Sequence, residues 1–348
     1  MATFILVAGT AVVVGCLLLL TTIVTLKWTR MSRERARERR LAPLRPLVLR
    51  IAAGEDSEDD EAQQALAEVR GPARRDVDDL VVTMLGKVRG EPAERLVEVL
   101  RAHGLLDQAG RRAASRLASR RVRALHLIGQ GRDWQWTDVA IAALEDRSAR
   151  VRSQAVRTVG RVGDPRAARP LLHALRREGV HVGDAAEALA GMGFGTSDAL
   201  LWALEEGHPR AQTVAAHLCG AGGVRAAAPL LVTLVESHPD PTVAATAATA
   251  LGRVGRPQDV GALAAASLHY FPAQVRQAAI EALGELGMEQ AVPVLVRHLA
   301  DPHSHVAEAA ARALIAVGPG GRQVAVEHEH LPSAGSALAM ARLQGVRV

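Results

Sequence analysis

From about residue 114 onward, apolar residues recur at the three- and four-residue spacing of amphipathic helices, in short stretches punctuated by Gly, Asp and Pro. "SARVRSQAVRTVGRVGDPRAARPLLHAL", residues 148–175, reads as two such helices joined at Gly163-Asp164-Pro165, and "PAQVRQAAIEALGELGMEQAVPVLVRHL", residues 272–299, has nearly the same design. The pattern apolar-x-x-x-Ala-x-x-x-x-Gly-x-x-Gly places first positions at Val151, Val182, Ala211, Val243, Val275 and Val306, spaced 31, 29, 32, 32 and 31 residues apart. Nine residues later come Gly160, Gly191, Gly220, Gly252 and Gly284, with Ile315 in the last copy; three further on stand Gly163, Gly223, Gly255, Gly287 and Gly318, with Phe194 breaking the set. An earlier copy has Arg120 and Gly129, and a degenerate one begins at Val77 with Gly86. A period of about 30 residues means a solenoid. Each period holds a short leucine-rich helix and an alanine-rich helix, and the glycines are expected to end the latter with positive φ, Gly252 and Gly284 among them. One such pair cannot bury both its faces, so stacking supplies the core.

The amino-terminal pattern is different. Phe4 to Leu26 holds 23 residues without a charge, about 34 Å as a helix against a hydrocarbon core of about 30 Å. No basic residue precedes the run and no small-x-small cleavage site follows it, and four leucines come after Cys16 where a lipoprotein would turn polar. The expectation is a retained transmembrane helix at 4–26. Nine basic residues follow between Lys27 and Arg50, against Glu34 and Glu38. Basic flanks stay inside, so the chain is expected to cross the inner (cytoplasmic) membrane once, amino terminus outside and the remainder cytoplasmic. Lys27, Trp28, Arg30, Arg33 and Arg35 would lie at the interface, near anionic headgroups. The expected organisation is therefore 4–26 transmembrane helix, 27–61 basic segment and acidic linker, 62–113 helical region with a degenerate repeat, 114–330 repeats, and 331–348 capping helix and tail.

Composition sharpens the picture. Hydrophobic residues make up 49% but aromatics only 2%, which suits closely packed Ala, Leu and Val helices rather than a sheet. The net charge of +5 is concentrated at 27–50, so the rest of the chain is slightly negative; a nucleic-acid binder would carry its excess on the folded body. The two cysteines, Cys16 and Cys219, suggest no disulfide framework.

The segment from Ala142, "AALEDRSARVRSQAVRTVGRVGDPRAARPLLHAL", resembles the HEAT-repeat family, specifically the short bacterial form called PBS-lyase HEAT-like repeats, over about residues 114–330. The resemblance implies an all-α solenoid whose alanine-rich helices line the inner curve. That family includes scaffolds, lyase subunits and hydroxylases. The hydroxylases hold two irons with four His-Glu pairs, whereas His328-Glu329 stands alone here, and one dipeptide cannot converge on a metal. His298, His303 and His305 read as exposed turn residues, "GMGFGTS" (191–197) as a loosened repeat turn rather than a phosphate loop, and Cys219 as core filler. No Ser-His-Asp pattern, chromophore pocket, metal, cofactor or small-molecule substrate is indicated.

What remains are surfaces. Stacking aligns equivalent positions into ladders: the second position reads Arg121, Arg152, Gly183, Gln212, Ala244, Arg276, Ala307, and the seventh His126, Arg157, Ala188, His217, Thr249, Glu281, Arg312. Arg121, His126, Arg152 and Arg157, with Trp134 and Trp136 from "RDWQWTD", are the candidate partner-binding residues, since arginine and tryptophan are favoured at interfaces. The expected function is a membrane-anchored cytoplasmic adaptor for a membrane-associated protein partner. The alternatives are a HEAT-type enzyme or lyase subunit and a membrane-tethered nucleic-acid binder.

Overall fold

The computed structural model describes residues 2–54 and 59–346, and their side chains except at 2–18, 33, 59 and 194. The described residues form helices joined by short turns, without strands. They divide into two units, Met1–Arg112 and Ala113–Val348.

In the first unit, the helix Ala2–Leu41 carries the basic segment, and its last turns are held to the helix Gly71–Leu85 by ion pairs: Arg40 Nε to Asp76 Oδ2 at 2.7 Å and Arg37 to Asp79 at 3.1 Å. Below them His103 is buried, its Nδ1 2.5 Å from Asp78 and its Nε2 3.0 Å from the Leu66 carbonyl. Burial raises the Asp78 pKa, and the His103 contact offsets only part of that.

The expected single-pass membrane location is corrected. Among the described residues no helix is long and apolar enough to cross a membrane. Side chains are described from Leu19, which leaves about 12 Å of uncharged helix before Lys27, against about 30 Å of hydrocarbon. Phe4–Leu18 lies outside the described side chains, as does Arg33 of the expected interface set. Trp28 is exposed, and Arg30 pairs with Glu34 on its own helix at 3.3 Å.

The second unit is a two-layer stack. Alanine-rich helices (Ala118–Gly131, Ala149–Val162, Val182–Gly191, Pro209–Ala221, Pro241–Val254, Ala273–Leu286, Ser304–Val317) form one layer. The leucine-rich helices (Thr137–Leu144, Ala168–Ala174, Ser197–Glu206, Ala228–Ser237, Val260–Ala266, Val292–Arg297) form the other, each entered through one 3-10 turn. The core lies between the layers and runs continuously from Leu125 to Leu338. Two helices, Pro319–Glu327 and Pro332–Leu343, close the carboxyl end.

The repeat glycines serve two purposes that one pattern conflated. Gly163, Gly223 and Gly287 have φ of 71°, 67° and 64° and follow the alanine-rich helices, as left-handed caps do. Gly252 and Gly284 do not: they lie inside their helices, where a Cβ would stand 2.7 Å from Ala282 Cα and 2.8 Å from Ala313 Cα of the next alanine-rich helix. Gly160 and Gly220 meet Ala188 and Ala250 in the same way. These glycines let successive helices touch backbone to backbone, whereas the leucine-rich helices touch their successors far less. A stack spaced more tightly in one layer bends toward that layer.

The third copy is one residue out of the sequence register. Gly193, at φ 71°, is its cap, and Ala188 occupies the contact position held by Ala250 and Ala282 elsewhere. Its alanine-rich helix has 10 residues where its neighbours have 14 and 13.

Candidate interaction face

The second-position arginines do not line a groove. Arg121 is 7% exposed and makes a bidentate pair with Asp146, both bonds 2.8 Å, while also donating to the Ser115 and Arg116 carbonyls. Arg276 grips Asp301 at 2.8 and 3.1 Å and donates to the Phe271 carbonyl. Each aspartate lies 25 residues beyond its arginine and also accepts the backbone N–H two residues on, from Ser148 and His303 respectively. The result is a clasp closing the turn between one hairpin and the next. Burial pushes both carboxyls up, but the arginine and backbone bonds outweigh it and hold them below the usual range. Arg152 uses carbonyls instead, those of Asp146 at 2.7 Å and of Glu178. Arg121 and Arg152 thus fold the turns, because a guanidinium buried there satisfies carboxylates and carbonyls that would otherwise be unpaired.

The seventh position is where side chains emerge. Arg157 is exposed, tethered along its own helix by Ser153 Oγ at 3.1 Å and Gln154 Oε1 at 3.2 Å, with Asp184 only at 3.9 Å. His126 projects beside it from the preceding helix. Its pKa is lowered by desolvation first, then by the Arg161 and Arg157 charges. Arg161, one turn beyond Arg157, is exposed and lies across Gly129, with its Cδ 3.5 Å from where a Cβ would be. Sequence reasoning had not selected it, although it follows Arg157 at the i, i+4 spacing of one helix face.

Trp134 is 56% exposed and its indole N–H donates to the Val162 carbonyl at 3.2 Å, at the end of the helix that carries Arg157 and Arg161. Trp136 is half-buried in the same 3-10 turn. The structure therefore gathers His126, Arg157, Arg161 and Trp134 at one end of the alanine-rich layer and sets Arg121 and Arg152 apart in the turns.

Other candidates are spent on structure. His298, expected to be exposed, is 4% exposed: its Nε2 meets Ser267 Oγ at 3.0 Å and its Nδ1 lies 3.6 Å from Asp301. This is a Ser-His-Asp array that sequence reading missed, though Ser267 and His298 stand 31 residues apart, the repeat period itself. It has no nucleophilic access, since Ser267 is fully buried and donates to the Ala264 carbonyl at 2.7 Å. Among the described residues no group of His, Cys, Asp and Glu is arranged to hold a metal ion. Glu329 pairs with Arg342 at 2.8 Å, and burial pushes the Cys219 thiol up to about 12, which leaves it un-ionised at neutral pH.

An all-α stack of paired helices, with close contacts between like helices 31 residues apart, defines an α-solenoid. The family model for HEAT repeats matches residues 105–190, 197–270 and 263–328, more than half the sequence. The chain belongs to the HEAT-repeat family. Among solved structures it is similar to the karyopherin Kap121p, seen bound to the SUMO protease Ulp1p (11% identity, TM-score 0.53, 77% of this chain and 34% of that one) and bound to Nup53p (12% identity, TM-score 0.53, the same coverages). The chain thus spans about a third of the length of that karyopherin. The complex of CpcE and CpcF of phycocyanin lyase from Nostoc sp. also matches, at 23% identity over 60% of this chain and 86% of that one, with a TM-score of 0.32. No curated protein matches.

Proposed function

We propose that this chain is a protein-binding adaptor without catalysis of its own, and that it engages its partner along the alanine-rich layer. The observation that carries this reading is the contrast between arginines folded into the turns by buried carboxylates and carbonyls and a row of side chains that reach the surface of the alanine-rich layer, exposed at His126, Arg157, His217 and Arg312 and half-buried at Thr249 and Glu281. Solenoids bind through such extended surfaces, built from equivalent positions of successive repeats. The karyopherin that shares the fold was solved with protein partners, which makes a protein ligand the natural class here. A lyase-like or hydroxylase-like activity would need a pocket of convergent polar groups, and the Ser267-His298-Asp301 array is sealed and held by Arg276.

The test is site-directed photo-crosslinking of the full chain in its native extract, with the reactive group placed at Ser153 or Thr249 on the alanine-rich layer, or at Thr233 on the leucine-rich one. Discrete crosslinked bands are expected from the first two positions and none from Thr233. Crosslinks confined to Thr233, or bound pigment or stoichiometric metal in the purified chain, would overturn the assignment.

A further inference from the structure

The rows of the alanine-rich layer carry very different charge along their length. In the carboxyl-terminal hairpins, cations face anions of the adjacent row member: Arg253 lies 3.7 Å from Glu285, and Arg312 3.3 Å from Glu281. In the first two hairpins the same positions hold His126, Arg157 and Arg161. Asp184 is the acid that reaches them, at 3.9 Å from Arg157, and Arg161 makes no hydrogen bond or ion pair among the described residues. Two exposed guanidiniums thus share one acid at the limit of ion-pair distance, next to a tryptophan that is more than half exposed and whose N–H is already used by Val162.

We propose that this corner, His126-Arg157-Arg161-Trp134, binds an extended acidic segment of a partner protein. The proposal rests on the adaptor reading and specifies its partner. Arg157 and Arg161 are four residues apart on a helix, about 6 Å along the axis. In an extended chain, residues i and i+2 point to the same side about 6.6 Å apart. Carboxylates at i and i+2 therefore meet the two guanidiniums in step. Trp134 is fixed to the carbonyl of Val162, one residue past Arg161, so the next same-side residue, i+4, comes to the indole face. The recognised pattern is acidic-x-acidic-x-apolar, with charge pairing supplying direction and the ring an anchor. His126 is exposed at the seventh position of the preceding hairpin, and its pKa is lowered by desolvation and by the Arg161 and Arg157 charges, so it adds a hydrogen-bonding group rather than a third cation. A nucleic acid is the less fitting ligand. The cationic footprint is two residues wide, and the sequence outside 27–50 is slightly negative, whereas nucleic-acid binding draws on many phosphate contacts.

The experiment is selection of random ten-residue displayed peptides on the immobilised full chain, followed by fluorescence anisotropy of an enriched labelled peptide. Enrichment of acidic-x-acidic-x-apolar sequences is expected. Affinity should fall at least tenfold in the double variant Arg157→Glu/Arg161→Glu and several-fold in Trp134→Ala, with circular dichroism unchanged because all three side chains are exposed. A peptide with lysines replacing its two acids should regain binding to the double variant alone. Peptides without that pattern, or acidic peptides that bind the double variant undiminished, would overturn this site while leaving the adaptor reading intact. Failure to enrich any peptide, together with absence of photo-crosslinks, would remove both. A labelled duplex DNA that binds more tightly than the peptides and is lost in the same double variant would replace the protein segment with nucleic acid.

Discussion

At the amino-terminal end of the solenoid, Arg157 and Arg161 lie in the row of His126 or one turn from it, with one distant acid; at the other end, Arg253 and Arg312 occupy the same two rows and each has a glutamate of an adjacent hairpin within 3.7 Å. The turns behind these rows are built alike at both ends, by Arg121 on Asp146 and by Arg276 on Asp301. Identical scaffolding therefore presents a charged surface in one place and a self-neutralised one in the other. Arginine content alone does not reveal a binding face. What distinguishes the ends is that Arg253 and Arg312 each find a carboxylate on an adjacent hairpin, whereas Arg157 and Arg161 share one acid at 3.9 Å.

The largest test of this comparison asks whether the two clasps are equivalent. Arg276→Ala leaves the Asp301 carboxylate, whose side chain is fully buried, without its partner, and should cost about 3–5 kcal/mol in urea unfolding. Arg121→Ala should cost less, because the Asp146 side chain is 14% exposed and water can replace part of the lost bond. Equal losses would show that burial of the aspartate does not set the strength of the clasp.

Next in size are the glycines. Gly252→Ala and Gly284→Ala force a Cβ onto the backbone of the following helix and should each cost about 1–3 kcal/mol. Gly163→Ala, whose Cβ meets nothing but whose φ is 71°, should cost about 1 kcal/mol. Gly183→Ala, helical and open, should stabilise slightly, by about 0.5 kcal/mol. A neutral Gly252→Ala would refute the close approach of the alanine-rich helices.

Acid provides a third handle. Asp146, Asp164 and Asp301 have pKa values held below the ordinary carboxylate value, so the native state binds fewer protons than the unfolded chain. Their stabilisation is fully present above about pH 4 and is lost as pH falls through the depressed values. Asp78 in the first unit is raised and acts with the opposite sign: its contribution is present below the unfolded value and fades as pH climbs through the raised one. Urea midpoints of the full chain should therefore drop between pH 4 and pH 2, more steeply than those of its Asp301→Asn variant; parallel curves would count against the clasp. The smallest effect is at the surface. Arg253→Ala or Arg312→Ala breaks a half-exposed pair and should change stability by less than about 1 kcal/mol.

The period, the pairing of leucine-rich with alanine-rich helices and the positions of most caps were legible in the sequence, because each depends on residues within one turn of one another. Other features depended on contacts between copies. Arg121 and Arg152 read as surface because their acceptors lie elsewhere in sequence, yet the spacing was available: Asp146 and Asp301 each follow a second-position arginine by 25 residues. Gly252 and Gly284 read as caps because a glycine pattern does not say which glycine bends the chain and which admits a neighbour. The slip at Gly193 was hidden by Gly191, which satisfied the pattern one residue out of place. Of the expected contact residues, His126, Arg157 and Trp134 are exposed on the first two hairpins, and Arg161 joins them at the i, i+4 spacing of one helix face, a relation within one helix that equivalent positions of successive copies do not display.

The glycine-to-alanine contacts between successive hairpins have a mechanical meaning. Each fixes one angular step of the stack, and the steps add. Widening a single step by a few tenths of an ångström barely alters any one contact, but it swings everything beyond it like the far end of a lever. The distance between the two ends of the alanine-rich layer is therefore a running total that no individual residue specifies, and a ligand long enough to touch both ends would read the sum.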